Sequence, residues 1–303
     1  MSTPKNNSEH ARPFLFSKLN VALVLLVGML LPIRFAWAND SGLEDQLKSE
    51  YKDKTLTLRH FYSGDHLRFS ADGALNGNAT VGPWTLDGQI SVEEIHLRDG
   101  FVVIKGRRVH LVFDSQLKPQ DQLMTIDNDH GEKHKDKDLE KMLRRLTVEI
   151  EIELPGEKLD QKEVSSAIDA VFITASESMI DMVPSFWRAC IAKQEGKPQI
   201  APSLNGPPYH IKRGEVSGPH ANYLPDPEYS EEAREAKYNG TVVMSLVVDS
   251  SGAPTDLQID RPLGLGLDEK AVEAVSSWEF EPGQKEGEPV AVRIAVEVSF
   301  HLY

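Results

Sequence analysis

The sequence predicts an α+β protein in which a small C-terminal sheet follows a larger β-rich domain. The last residues, Val290 to Leu302, alternate between apolar and polar side chains, as expected of a strand with one buried and one wet face. Thr147 to Leu154 alternates in the same way. Gln161 to Ile180 instead places apolar residues at helical spacing. Both periods occur, so strands and helices are both expected.

Residues 39 to 194 are predicted to form one α+β domain that contains an antiparallel meander. Lys54 to His60 alternates around leucines, and Asp99-Gly100 turns the chain into a second apolar stretch, Phe101 to Phe113. Frequent glycine turns of this kind indicate hairpins. The helix over Gln161 to Ile180 follows, and Pro184 is expected to open a short last helix.

Residues 195–225 separate this domain from a second one at 226–303. Prolines and glycines are interspersed there, and no apolar period survives. This composition is typical of an extended linker.

The first 38 residues have the three parts of a secretory signal peptide. Basic residues precede the apolar run Leu19 to Leu31, and Ala36-Trp37-Ala38 supplies a small-x-small site. The uncharged stretch between Lys18 and Arg34 would span roughly 22 Å as a helix at about 1.5 Å per residue, short of a ~30 Å hydrocarbon core. We predict cleavage after Ala38 and a periplasmic location. The alternative is an uncleaved single-pass anchor in the inner membrane, with the chain on the periplasmic side.

Composition excludes several classes of protein. With 40% hydrophobic and 26% charged residues, the chain can bury a sizeable core. Its formal net charge of -14 argues against nucleic acid as a partner. The only cysteine, Cys190, cannot form an internal disulfide, and its apolar neighbours predict a buried residue rather than a nucleophile.

One charge-dense stretch, Asp127 to Asp138, raises the question of a metal site because it contains His130 and His134. Lysines are interleaved with its acids, and the spacing fits neither a zinc nor a calcium loop. A solvated loop is the better interpretation. We therefore expect no metal site.

Two further patterns bear on acid–base catalysis and on dinucleotide binding. Glu149, Glu151 and Glu153 share one strand face at intervals of about 6.5–7 Å, which favours a solvent-facing sheet surface over acid–base catalysis. Leu263-Gly264-Leu265-Gly266 lacks the third glycine of a dinucleotide loop and is interpreted as a turn. We predict no catalytic residue, no cofactor and no enzyme activity.

The C-terminal domain is predicted to run helix, strand, strand, helix, strand. Ser230 is placed to cap the first helix, which stops at Asn239-Gly240. Thr241 to Asp249 forms the first strand, and Asp268 is expected to cap the second helix. This order predicts a three-stranded antiparallel sheet covered on one face by two helices.

At this point the residues resemble the C-terminal domain of the TonB energy-transducer family. The family pattern is approximately P-x-Y-P-x-x-A-R, G-x-V, V-D-x-x-G, G-x-x-L-D-x-A-A-x-x-A-V-x-x-W-x-F-x-P and a valine-rich last strand. The matching residues are Pro227, Tyr229, Ala233, Arg234, Gly240, Val242, Val248, Asp249, Gly252, Leu267, Asp268, Ala271, Ala274, Val275, Trp278, Phe280 and Pro282. One departure is Ser230, which stands where the family has the proline of the Tyr-Pro pair.

Most of the motif has a structural interpretation. We expect the mainly structural members to be Tyr229, Arg234, Gly240, Asp268, Trp278, Phe280 and Pro282. Trp278 and Phe280 are interpreted as core residues, and Arg234 as a helix-surface or capping residue.

The resemblance implies a periplasmic protein-binding module that couples the inner membrane to outer-membrane receptors in energy-dependent transport. Its last sheet would take up an extended receptor segment, and inner-membrane proton-driven motor proteins would supply the energy. A strand at a sheet edge carries unpaired backbone groups that accept another strand, and a second copy of this chain would also fit there as a homodimer. The predicted partner-binding residues are Val290, Val292, Arg293, Ile294, Val296, Val298 and Phe300.

The N-terminal segment departs from the family. TonB-type anchors resemble a helix with a Ser and, four residues on, a His; here Ser17 is followed by Val21, and the apolar segment has no histidine. The alternative function is a soluble periplasmic envelope protein that docks through a TonB-like module without energy coupling. In that case residues 39–194 would bind a ligand or partner.

Overall fold

A computed structural model of the chain describes residues 40–123, 143–156, 160–198 and 207–302. Residues 39–303 form one compact unit. Within the described ranges, no helix is both long and apolar enough to cross a membrane. The predicted signal peptide or anchor and the Asp127 to Asp138 stretch lie outside the described residues.

The N-terminal part, residues 39–194, is built on a five-stranded sheet with the order β1-β3-β4-β7-β2. Its strands are β1 (Thr55–Thr57), β2 (His66–Phe69), β3 (Gln89–Arg98), β4 (Phe101–Arg108) and β7 (Thr147–Glu153). A separate hairpin joins β5 (Leu111–Phe113) to β6 (Pro119–Asp121). The predicted Asp99-Gly100 turn connects β3 to β4 as an antiparallel pair.

Helices cover one face of this sheet. They include α1 (Asp40–Tyr51) and α3 (Gln161–Val171), whose buried side chains pack against those of β2, β3, β4 and β7. A capping box starts α3, because the Asp160 side chain accepts from Glu163 N–H while Glu163 reaches back to the Asp160 N–H. Short elements complete the part: α2 (Trp84–Asp87), two 3₁₀ turns (Met179–Asp181 and Ser185–Trp187) and α4 (Arg188–Gln194).

Three details differ from the sequence-based expectation. The outer strand β2 pairs with β7 in parallel, so the sheet is not a pure antiparallel meander. Helix α3 ends at Val171 rather than at Ile180, because Phe172 turns extended and Ile173 N–H donates to Thr57 C=O. Glu151 is buried rather than solvent-facing.

The burial of Glu151 follows from the parallel pairing of β2. That pairing places Arg68 opposite Glu151, and Arg68 and Arg98 both donate to its carboxylate, at 2.5 and 2.9 Å. Burial acts to raise the pKa of Glu151, but the hydrogen bonds from the two arginines outweigh it and the pKa is lowered. The glutamate is therefore a structural ion-pair centre, whereas Glu153 is exposed as predicted.

The C-terminal domain has the predicted helix, strand, strand, helix and strand in that order, together with additional short strands. Its main sheet has the order β11-β10-β15-β8. The bounds are α5 (Glu231–Glu235), β10 (Gly240–Val248), β11 (Pro254–Arg261), α6 (Leu267–Ser276), β12 (Glu279–Glu281), β13 (Gly283–Lys285), β14 (Glu288–Val290) and β15 (Val292–Phe300). Apolar residues of α5 and α6 pack on one face of the sheet, chiefly against β10 and the end of β15.

The Pro/Gly-rich segment is more ordered than an extended linker. β8 (Tyr209–His210) adds a fourth, parallel strand beside β15, and β9 (His220–Tyr223) pairs with β12. Val216 is buried between them. The linker was predicted over 195–225 with extended character; in its described part, 207–225, backbone groups instead pair with the C-terminal domain.

The N-terminal part and the C-terminal domain touch through specific contacts. Leu265 N–H donates to Leu111 C=O at 2.9 Å, and Gly266 N–H donates to Thr85 Oγ1 at 3.0 Å. Ile259 of β11 packs in the same apolar cluster as Trp187. These contacts hold the loop before α6 against the N-terminal part.

Candidate partner-binding edge

The terminal strand β15 is anchored on its inner side by β10. The two strands pair antiparallel over their whole length without a register shift, from Val292 opposite Val248 to Phe300 opposite Gly240. Val290 does not belong to this strand; it ends β14, which forms a hairpin with β13. The predicted strand of Val290 to Leu302 is thus Val292–Phe300.

On the outer side of β15, the described strands pair with the start of the strand only. β8 pairs there in parallel with Val292 and Arg293, and Tyr209 N–H donates to Ala291 C=O at 2.9 Å. Beyond Arg293, no strand of the described ranges pairs on this side. Among the described residues, backbone pairing therefore covers about the first two residues of this edge and no others.

The bond from Tyr209 also shows which backbone groups point outward. Backbone groups alternate between the two sides of a strand, so Ala291 and every second residue after it face away from β10. Ala295, Glu297 and Ser299 consequently direct their N–H and C=O groups outward. We call these three residues the open rim.

The two faces of β15 have different environments. Val292, Val298 and Phe300 are buried, and Ile294 and Val296 are half-buried, on the face packed toward the helices. On the other face, Ala295, Glu297 and Ser299 are exposed. Arg293 is half-buried, and its side chain forms an ion pair with Asp256 of β11.

The motif residues Tyr229 and Ser230 form the entrance to the first helix. The Tyr229 hydroxyl bonds Asn239 Oδ1 at 2.9 Å, and its ring packs edge-on against Phe300 with centroids 5.4 Å apart. Ser230 is the N-cap, as predicted: its Oγ accepts from Ala233 N–H and donates to Leu265 C=O. Serine thus supplies here two bonds that a proline at this position lacks.

Asp268 is buried but does not cap α6. Gly266 is the N-cap residue, at a φ of 73°, and Asp268 instead accepts from Leu263 N–H at 2.8 Å and Gly264 N–H at 2.7 Å. The prediction of an Asp268 cap was wrong, because the carboxylate folds back on the preceding loop. Burial raises the pKa of Asp268, and Glu269 next to it adds to the effect.

The other motif residues lie in or beside the helices and strands of the C-terminal domain. Phe280 is buried, and Trp278 Nε1 donates to Pro225 C=O at 3.2 Å. Arg234 lies on the surface and pairs with Glu231 at 2.6 Å. Gly240 begins β10, and Pro282 follows β12.

Two kinds of side chain that could support a reaction are the thiol of Cys190 and groups of possible metal ligands. Cys190 is buried, and burial raises the pKa of its thiol to about 12, with Asp268 contributing. Among the described residues, no group of three or more His, Cys, Asp or Glu side chains is arranged to hold a metal ion.

The C-terminal domain is a small strand-and-helix module, and comparison with known proteins finds relatives of part of the chain. Residues 225–302 match the family model described as Gram-negative bacterial TonB protein C-terminal. The chain therefore carries a TonB C-terminal domain, as the motif predicted.

Two curated relatives match about a quarter of the chain. Protein tonB2 of Pseudomonas aeruginosa is 34% identical over 86 residues, 27% of this chain and 32% of that protein. Protein TonB of Vibrio cholerae is 35% identical over 77 residues, 25% of this chain and 32% of that protein. The chain thus spans about a third of the length of the relatives it matches. A solution NMR structure of the Pseudomonas aeruginosa TonB CTD matches 31% of this chain and 93% of its own, at 20% identity and a TM-score of 0.25.

Proposed function

We propose that this protein is a TonB-type envelope protein that captures an extended segment of an outer-membrane receptor on its open rim. It would do so by strand pairing, without catalysing a reaction. The observation that supports this most directly is the outward N–H and C=O groups of Ala295, Glu297 and Ser299, beside a strand held firmly by β10. An incoming strand would continue the sheet from the point where β8 stops.

The expected affinity is modest. Each added backbone hydrogen bond contributes a net ~0.5–1.5 kcal/mol, and ordering of the incoming segment offsets part of the sum. A handful of such bonds gives reversible binding, which suits a coupler that engages and releases its receptor. In this proposal, inner-membrane proton-driven motor proteins supply the energy.

Hydrogen exchange tests the pairing at single residues. A receptor that co-purifies from solubilised envelopes supplies the peptide, and the amides of β15 are followed with and without it. New protection is expected at Ala295, Glu297 and Ser299, but not at Ile294, Val296 and Val298, whose amides already face β10. Absence of added protection at the open rim would refute the proposal.

A backbone variant gives the matched control. Glu297→Pro removes one outward N–H, and proline is tolerated at the open side of an edge strand, so the fold should persist. Glu297→Thr changes the side chain alone. Weaker peptide binding in the first variant and near-normal binding in the second are expected. Equal loss in both would point to the side chain instead.

The second candidate is a docking protein without energy coupling, exported as residues 39–303. The missing histidine in the apolar segment favours it. Sequencing the N-terminus of the protein from cells separates the two: an intact first segment supports the transducer, and a start at Asn39 supports the docking protein. A homodimer paired through the open rim would instead be revealed by concentration-dependent protection of the same amides.

A further inference from the structure

A cleft of about 930 Å³ lies between the N-terminal part and the C-terminal domain. One wall consists of Pro83, Trp84 and Asp87 with the turn from Met182 to Pro184, and the other of residues 228–232 and α6. We call it the junction cleft. Its volume falls in the range of about 300–1,000 Å³ typical of ligand sites, which occur preferentially between domains.

Two residues that line this cleft, one on each wall, each hold a buried polar atom that has no partner. These atoms are Trp84 Nε1 and Glu269 Oε2, and they are the unsatisfied buried side-chain nitrogen and oxygen atoms among the described residues. Trp84 is only 2% exposed. The other oxygen of Glu269 is already used by Trp187. An unpaired buried group costs about 1–3 kcal/mol. An unpaired donor and an unpaired acceptor in the lining of one cleft therefore favour a ligand that supplies the opposite pair.

The charge of the cleft indicates the sign of that ligand. Six carboxylates line it (Asp87, Glu228, Glu231, Glu232, Glu269 and Glu273), against Lys270 and His60. Asp87 already pairs with Arg108, and Glu231 with Arg234. Lys270 is already paired with Glu273 and Glu228. Glu232 has no ion-pair partner in the described part of the chain. A cation is therefore the complementary group.

The distribution of these carboxylates favours a chain of cations over a single one. Glu269 and Glu273 lie one turn apart on α6, about 6 Å along its axis. Glu232 comes from α5 on the same wall, and Asp87 from the opposite wall. The lining also includes apolar residues, namely Pro83, Val183 and the exposed Val81. Apolar surface together with separated acids suits a peptide that alternates basic and apolar side chains.

We propose that the junction cleft binds a basic, extended segment of a partner protein, with a lysine or arginine against Glu269 and Glu232 and a backbone carbonyl accepting from Trp84 Nε1. This goes beyond receptor capture and does not depend on the open rim. It gives the N-terminal part a binding role shared with the C-terminal domain, because neither wall alone supplies both open groups.

The test uses a peptide that cannot extend a sheet. The probe is a fluorescein-labelled nonapeptide repeating lysine, proline and leucine, since its prolines lack the N–H groups of a strand ladder. Binding to the exported protein, with the N-terminus it carries in cells, is followed by anisotropy. The indole resonance of Trp84 is followed by nitrogen-15 NMR. The peptide with glutamate in place of lysine is the charge control.

Variants locate the site. Glu232→Gln combined with Glu269→Gln should weaken the lysine peptide at least tenfold. Glu93→Gln combined with Glu94→Gln removes the same charge from exposed positions of β3 and should leave binding near normal. The Trp84 indole resonance should move on binding, and the amides of the open rim should not.

Three outcomes overturn the proposal. Equal weakening by the β3 variant means that net acidity alone attracts the peptide. Spermidine binding as tightly as the peptide identifies a small polycation as the occupant. A Trp84 indole resonance that stays in place at saturation means that the peptide binds elsewhere or not at all.

Discussion

The indole Nε1 of Trp187 donates a hydrogen bond to Glu269 Oε1 at 2.8 Å, and this bond joins the N-terminal part to helix α6 of the C-terminal domain. Trp187 is fully buried and packs edge-on against Trp84, with ring centroids 5.2 Å apart. The two parts of the chain are therefore connected by packing and by a directional polar contact.

A double-mutant cycle should detect this contact. The free energy of unfolding in urea is measured for Trp187→Phe, Glu269→Leu and the double variant. The cycle cancels the effect of the volume lost at Trp187, because this loss occurs both with and without Glu269. A coupling of about 1–3 kcal/mol is expected, since a buried donor and acceptor are each left unpaired in the single variants. Trp278→Phe combined with Glu269→Leu is the control, because Trp278 donates to Pro225 instead. A coupling no larger than in this control would contradict the role of the contact.

Asp87 should make stability depend on pH. Burial is the main cause that raises its pKa from 3.8 to about 6, with Glu232 adding to the rise and Arg108 opposing it. The folded state then binds a proton more tightly than the unfolded state, so this stabilising contribution is complete below 3.8 and is lost as the pH rises through about 6.

Comparison with Asp87→Asn isolates the effect. The free energy of unfolding of the wild type minus that of the variant should fall between pH 4 and pH 6, by up to about 1.4 kcal/mol for each pH unit. Urea unfolding at four pH values measures it. A difference that is constant or rises with pH would show that the buried carboxyl is not protonated in the fold.

Gly252 should be the least replaceable of the turn glycines in the C-terminal domain. It has a φ of 89°, and an added Cβ would lie 1.9 Å from the Phe280 carbonyl oxygen. Gly287 has a similar φ of 87° but open space around it. Gly287→Ala therefore measures the backbone strain alone, about 1–2 kcal/mol, whereas Gly252→Ala adds a collision worth about 1–3 kcal/mol more. Equal melting temperatures of the two variants would exclude the collision.

Tyr209 should limit the length of the free edge. Tyr209→Pro removes the N–H that bonds Ala291, which frees the outer side of Arg293 for an incoming strand. One or two further bonds would strengthen receptor-peptide binding about 2- to 10-fold, at ~1.4 kcal/mol per tenfold. Tyr209→Ala keeps the N–H and loses only the ring over which Lys285 lies, so its affinity should change little. If both variants bind alike, β8 does not compete for the edge.

The strands and helices of the C-terminal domain were largely predictable from the sequence. β10 and β15 each bury alternate residues, and that period of two is visible in the amino acids themselves. Ser230 was predicted as a cap because a hydroxyl before an acidic first turn is a local signal. The family motif added the order of the elements.

Contacts between distant residues were not predictable in the same way. No pattern in neighbouring residues indicates that β2 pairs with β7 in parallel and buries Glu151. Nor does any local pattern indicate that the Asp268 carboxylate accepts from Leu263 and Gly264. β8 was missed because two residues between prolines carry no period. The junction cleft is lined by Trp84 and Glu269, which are 185 positions apart in the sequence.

The sequence by itself determined which segments become strands and helices, the family of the last quarter and the faces that are buried, because period and turn chemistry act over a few residues. The tertiary structure alone decided how much of β15 stays open and where the two parts of the chain meet. Those features arise when segments far apart in sequence compete for the same backbone groups and the same buried surface, and only the folded chain resolves that competition.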